Sequence, residues 1–364
     1  MKTVPLQQIC DIQIGRTPSR SVPEYWGGEL PWVTISDLSA GRIVTTTKER
    51  ITRIGAAKSG SKRIPRGTLL LSFKLSLGKR AVSGCDLFTN EAIAALRVLD
   101  HDVADRDYLY WALGSTNYDR LVDRAAKGKT LNKAKLKILQ IPLPPLAEQK
   151  RIAGILDAAD ALRAKRREAL AELDSLLQST FLDMFGDPVT NPMGWDRKPL
   201  GEVMRVKSGD GLISKDMAPA GEYPVYGGNG INGYHDSFMF EEPRIVMGRV
   251  GVYCGAVHLT RQRAWVTDNA LYVHTLFQPV DRAYLVAALK TANLNQYASQ
   301  SAQPLISGTR IYPVQILMPP LDLQRRFAAI VGAVEQQKDR QQVHLAELDT
   351  LFASLESRAF RGDL

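Results

Sequence analysis

The sequence predicts an α+β protein: two similar globular domains separated by two long antiparallel helices that pair as a coiled coil, related by a pseudo-two-fold repeat. Two observations predict this. The stretch Leu143–Asp187 returns at Met318 with a constant offset of 175, so that Pro144, Pro145, Leu146, Gln149 and Arg151 fall on Pro319, Pro320, Leu321, Gln324 and Arg326. Ala171-Glu172-Leu173-Asp174 falls on Ala346-Glu347-Leu348-Asp349, and Phe185 on Phe360, without a gap. A fixed-period repeat of this kind sets the architecture before any local reading.

Each repeated stretch reads as a helix with visible ends. A Pro pair suits a helix entrance but not its interior. Apolar residues then recur at alternating spacings of three and four: Ile152, Ile155, Ala159, Leu162, Ala169, Leu173 and Leu176 in the first copy. The second copy gives Phe327, Ile330, Val334, Leu348, Leu351 and Leu355. This is a coiled-coil seam with a polar middle. Gly186 and Pro188 end the first helix. About 39 residues at 1.5 Å each make a rod roughly 58 Å long.

The remaining sequence divides around these helices. Residues 1–142 form the first globular unit, 143–187 the central helix, 188–317 the second globular unit and 318–364 the closing helix. Leu6–Gly15 matches Leu200–Gly209, a short element ending in a Gly turn. Thr68–Phe73, a strand, stands where Arg244–Val250 stands. Lys74–Arg80 reads as a basic loop between that strand and the next. Ala92–Val98 is another strand, and Asp107–Gly114 a helix matched by Tyr284, Leu285 and Leu289. Thr89-Asn90-Glu91-Ala92 resembles Thr267-Asp268-Asn269-Ala270. The landmarks agree while the sequences between them differ, so one framework carries two surfaces. Short connections favour antiparallel rods with the domains at opposite ends.

Composition narrows the function classes. The chain of 364 residues carries 47 Lys and Arg against 38 Asp and Glu, a net charge of +9. Residues 1–142 alone hold 23 basic and 13 acidic residues, whereas both helices are slightly acidic. This balance favours a polyanionic partner for the globular units. Three scattered cysteines build no disulfide framework or zinc pattern and suit a reducing, cytoplasmic interior. No signal peptide or membrane span is read.

Enzyme templates fail. Gly228-Asn229-Gly230-Ile231-Asn232-Gly233 has the spacing of a dinucleotide fingerprint but lacks the helix that must come after it. Gly128-Lys129-Thr130 resembles the end of a P-loop, but Asp123 stands where the first Gly is required. Five scattered histidines offer no metal spacing, and no metal site is expected. The basic and Asn-bearing loops are what remain: Arg16, Arg20, Lys74, Lys79, Lys127 and Lys129 in the first unit, and Lys207, Asn229, Arg249, Arg261, Arg263 and Arg310 in the second. Arg reads guanine edges and Asn adenine, and Lys or Arg on phosphate supplies position.

The repeated Pro-Pro-Leu-x-x-Gln-(Lys/Arg)-Arg entrance, the Trp26-Gly27-Gly28 and Pro31–Leu38 segments and the Phe185–Pro188 junction resemble the specificity subunit of type I restriction–modification systems. The resemblance spans essentially the whole chain. It implies two target-recognition domains reading the halves of a bipartite, asymmetric double-stranded DNA site. It implies helices that act as a ruler and dock two methyltransferase subunits, with Gln149, Arg151, Gln324 and Arg326 at the docking faces. S-adenosylmethionine and ATP belong to partner subunits, a motor–nuclease among them where present. This chain would hold no cofactor and no catalytic residue. Leu323 in place of Glu148 is a departure that makes the two helix entrances unequal. The rival is a coiled-coil protein–protein adaptor whose helices bind a helical partner and whose globular units bind no DNA, separated from the first by a salt-dependent gel shift. A ruler has a direct consequence: deleting one helical turn from both helices shifts the spacer between half-sites and leaves each half-site intact. DNA selection with that variant checks this, and retention of the original spacer would remove the ruler.

Overall fold

A computed structural model describes all residues except Met1, 119–120, 122, 126–127, 219 and 301–302, and gives only the backbone for 123–125 and 128–130. The chain forms two compact units. One combines residues 1–166 with 344–364, and the other is 167–343. The compact units therefore do not coincide with the linear division into four segments, because each takes part of both long helices.

The two units share a plan. In the first, a five-stranded sheet runs in the order Cys10–Ile14, Ile93–Val98, Leu69–Ser72, Arg80–Ser83 and Ile43–Val44. In the second, a four-stranded sheet runs Met204–Ser208, Ala270–Leu276, Ile245–Gly248 and Val257–Leu259. Beside each lies a three-stranded sheet. Its middle strand, Trp26–Val33 or Tyr223–Gly227, pairs in parallel with a short strand, Phe88–Thr89 or Trp265–Val266. Each domain is closed at its base by an antiparallel clasp: Thr3–Pro5 on Gln140–Pro142, and Arg197–Pro199 on Gln315–Leu317. The strand before each long helix is thus tied to the start of its own domain. Gly128–Thr130, which the sequence gives as part of a basic turn, is a strand paired with Asp123–Ala125.

The long helices are Leu146–Phe185 and Leu321–Arg361. In the first unit the two run antiparallel, since Arg151 reaches the Leu364 carbonyl at 2.5 Å and Arg163 reaches Asp349 at 2.6 Å. In the second unit Lys338 meets Asp174 at 2.8 Å, and Phe327 packs on Phe185 at 5.4 Å between ring centroids. The buried face differs from the expected one. Leu162, Leu176, Ile330 and Leu351 are exposed. The inward series is Ile152, Leu156, Ala159 and Arg163 in the first unit and Gln324, Phe327, Val331, Val334 and Lys338 in the second. Its spacing is still that of a coiled coil, but two cations, Arg163 and Lys338, occupy seam positions, the first next to Leu162, which the apolar count places on the seam. They are equivalent under the offset of 175. Arg163 holds Asp349 and lies 4.3 Å from the Phe352 ring. Lys338 holds Asp174 and Glu335, at 2.8 and 3.0 Å. Burial works against the Lys338 ammonium, but these hydrogen bonds outweigh it and raise its pKa.

Domain and helix are joined by one device, used twice. Gln149 has no exposed surface. Its Oε1 accepts from the Asp105 backbone N–H at 2.9 Å, and its Nε2 donates to the carbonyls of Val103 and Pro144 at 2.9 and 2.8 Å. Gln324, 1% exposed, accepts from Asp281 N–H at 2.9 Å and donates to Pro319 O at 2.8 Å. Asp105 and Asp281 in turn cap the helices Arg106–Gly114 and Arg282–Thr291. On each of those helices a buried tyrosine, Tyr108 or Tyr284, donates its hydroxyl to the strand before the long helix, at Pro142 O or Leu317 O. The other long helix then covers the joint: Phe360 packs on Tyr108 at 5.9 Å, and Phe185 on Tyr284 at 4.7 Å.

A buried amide that satisfies two backbone groups leaves both unpaired when truncated, at a cost of about 2 kcal/mol or more. Gln324→Leu should therefore lower unfolding stability by at least that amount in denaturant titration. The same change at exposed Gln178 should move it by less than about 0.5 kcal/mol. Equal effects at the two positions would contradict the clamp.

Candidate nucleic-acid interface

The ends of the central strands bring the basic loops together. In the first unit Ile14 ends one strand, Ser72 ends a second, and Arg80 and Ile93 begin two more, all at the same edge of the sheet. The loops at this edge are tied by backbone bonds. Gly15 N donates to Ile93 O at 3.1 Å, Arg16 N to Thr89 O at 2.9 Å and Phe73 N to Ala92 O at 3.0 Å. A Cβ on Gly15 would fall 2.2 Å from the Asn90 carbonyl, so only glycine allows this close approach. The rim so formed carries Arg16, Lys74 and Lys79.

The second unit repeats the edge. Gly209 N donates to Ala270 O, Asp210 N to Val266 O and Arg249 N to Asn269 O, at 3.1, 3.0 and 3.0 Å. Here the rim carries Lys207, Arg249 and, on a two-residue turn between Tyr223–Gly227 and Gly230–His235, Asn229. The glycine-rich segment thus runs into a strand, where a dinucleotide fingerprint would open a helix. The Arg249 guanidinium is steadied by Ser208 Oγ at 3.0 Å and Asp268 O at 3.4 Å.

Not every expected residue joins these rims. Arg20 is held in a two-pronged pair by Glu49 and lies 3.8 Å from the Trp26 ring. The bond to Glu49 raises the Arg20 pKa and lowers that of Glu49. Arg261 and Arg263 come after the strand Val257–Leu259 and so sit at the opposite end of the sheet, with Arg263 paired to Glu241 at 3.2 Å. Arg310 is exposed on the short helix Gly308–Ile311. Lys127 lies outside the described residues, and of Lys129 only the backbone is described. Sequence pattern alone does not single out Ser208, Asp268 and Asn269. The likeness between Thr89–Ala92 and Thr267–Ala270 is the signal that could have found the last two.

The docking set also divides. Arg151 is on the surface, bonded to Glu148 at 2.8 Å. Arg326 is exposed and, with Leu323 in place of Glu148, lacks that partner. Gln149 and Gln324 correct the expectation. Both are sealed inside and bonded to their own chain, so neither offers surface to another protein. Among the described residues no group of three or more His, Cys, Asp or Glu side chains is placed to hold a metal, and no helix is long and apolar enough to cross a membrane.

Two copies of one framework, each ending in a basic rim and each clamped to a long helix, define a duplicated recognition protein. The chain belongs to the type I restriction modification DNA specificity domain family, whose sequence model it matches over residues 1–173 and again over 192–349. It is 27% identical over 348 residues to the type I restriction enzyme EcoprrI specificity subunit of Escherichia coli, covering 90% of this chain and 86% of that one. With the MjaIX specificity subunit of Methanocaldococcus jannaschii it shares 29% identity over 232 residues, 58% of this chain and 53% of the relative. Among solved structures, the S subunit of a type I restriction–modification system from M. genitalium superposes with a TM-score of 0.65. It is 19% identical, and the match covers 99% of this chain and 96% of that one, which establishes a common fold.

Proposed function

We propose that this chain is the DNA-sequence-recognition subunit of a type I restriction–modification complex. Each domain reads one half of a bipartite, asymmetric site in double-stranded DNA. The observation that carries this reading is the repetition of the framework without repetition of the rim. Strand order, clamp and aromatic cover recur, whereas the rim presents Arg16, Lys74 and Lys79 in one copy and Lys207, Asn229 and Arg249 in the other. Cations at such a rim neutralise phosphates, and Arg and Asn beside them discriminate base edges.

The exposed faces of the long helices dock two methyltransferase subunits and, where present, a motor–nuclease subunit. Exposed leucines such as Leu162 and Leu176 supply apolar surface for this docking. Catalysis, with S-adenosylmethionine and ATP, belongs to those partners, and this chain supplies the address in the cytoplasm where the DNA lies. One relative in structure, 20% identical with a TM-score of 0.54, is described in terms of complex assembly and conformational transition of the type I system. That description concerns the relative and agrees with a docking role here.

Replacing residues 1–142 with the corresponding domain of another family member should change one half-site and leave the other as it was. Sequencing of methylated sites in cells that make the chimera with its methyltransferase checks this. A change in both halves would contradict independent reading.

A further inference from the structure

Both rims end in an apolar tip. In the first domain the hairpin between Leu69–Ser72 and Arg80–Ser83 carries Leu75, 62% exposed and in the left-handed region at φ +64°. In the second, the hairpin between Ile245–Gly248 and Val257–Leu259 carries Val252, 85% exposed, next to Gly251 at φ +73° and to exposed Tyr253. These hairpins hold the same place in the two sheets, since each comes after the third strand of its sheet order.

Neither tip is loose at its base. Gly78 N donates to Ser72 O and Phe73 N to Ala92 O, both at 3.0 Å. Gly255 N donates to Gly248 O at 2.8 Å and Gly251 N to Pro304 O at 3.0 Å. A pinned stem thus holds an aliphatic side chain in water, where it contributes nothing to the core. Leucine in the left-handed region also costs about 1 kcal/mol. One exposed aliphatic residue needs no explanation. Two at one topological position, in loops that otherwise differ, do.

A cation neighbours each tip in sequence. Lys74 precedes Leu75, its ammonium 5.5 Å from the Phe73 ring, and Arg249 is fixed on Ser208 three residues before Val252. A cation held on phosphate brings its apolar neighbour to the groove. On the base edges of the major groove the apolar group is the C5-methyl of thymine.

We propose that Leu75 and Val252 are apolar readers, each packing on the C5-methyl of a thymine in the half-site its own domain inspects. The proposal rests on the DNA-recognition reading above and adds the chemistry of one contact per domain. Duplexes selected from a randomised pool by the full-length chain supply the target, and deoxyuridine then replaces each thymine in turn. One such replacement in each half-site should weaken wild-type binding about tenfold. Leu75→Gly and Val252→Ser should each bind the unmodified duplex about tenfold more weakly, with an unchanged salt slope, and each should be blind to deoxyuridine in one half-site only. Leu75→Gly relieves the backbone strain, so its melting temperature should stay level or rise while its affinity falls. Wild-type indifference to deoxyuridine at every thymine, or variants that bind as the wild type does, would overturn the apolar reading and leave DNA recognition standing. Failure of the wild type to select any duplex would overturn both.

Discussion

Everything else in the molecule depends on a buried glutamine at the start of each long helix. A helix entrance has free backbone groups, and a domain's last loop has others. Gln149 and Gln324 satisfy groups on both sides with one side chain, and both are shut away from water. Because an unmade buried hydrogen bond is costly while a made one gains little, the amide acts less as glue than as a gauge. One placement of helix against domain satisfies every partner, and others leave some bare. The capped helices Arg106–Gly114 and Arg282–Thr291, the tyrosine hydroxyls and the aromatic cover from the second helix all reinforce that placement.

The duplication has a division of labour. Residues that join domain to helix are kept in both copies: glutamine, capping aspartate, tyrosine, terminal phenylalanine. Residues at the rims are not. Even the kept set tolerates chemical exchange where geometry allows. Arg163 stacks on Phe352, while its counterpart Lys338 reaches two carboxylates as a compact point charge. A half-buried cation of either kind gains from being paired, and Asp349 and Asp174 hold equivalent places on the opposing helix. A fixed joint with variable rims is what a protein needs if its targets diversify while its assembly stays the same.

Much of this was legible in the sequence because the repeat supplies an internal comparison. The constant offset marks both helices to within a few residues, and the matched landmarks place the strands around Leu69–Ser72 and Ile245–Gly248. What escaped was whatever depends on contacts distant along the chain. A glutamine in a first helical turn reads as exposed; that Gln149 is enclosed depends on Val103 and Asp105, more than forty residues earlier. Leu162 and Leu176 looked like seam residues because apolar counting assigns every cation to water. The seam instead runs through Arg163, which Asp349 and Phe352 of the opposing helix and Asp160 of its own make tolerable. At the rims, charge alone could not separate Arg249, poised beside the sheet edge, from Arg20, already engaged by Glu49 and Trp26.

Two unlike domains, each with its own rim, are expected to inspect two separate stretches of one duplex. Selection from a fully randomised duplex pool by the unmodified full-length chain tests it most directly. Two short conserved blocks of unrelated sequence, divided by bases of no preference, are the expected result. A single continuous block, a palindrome, or no enrichment would contradict it.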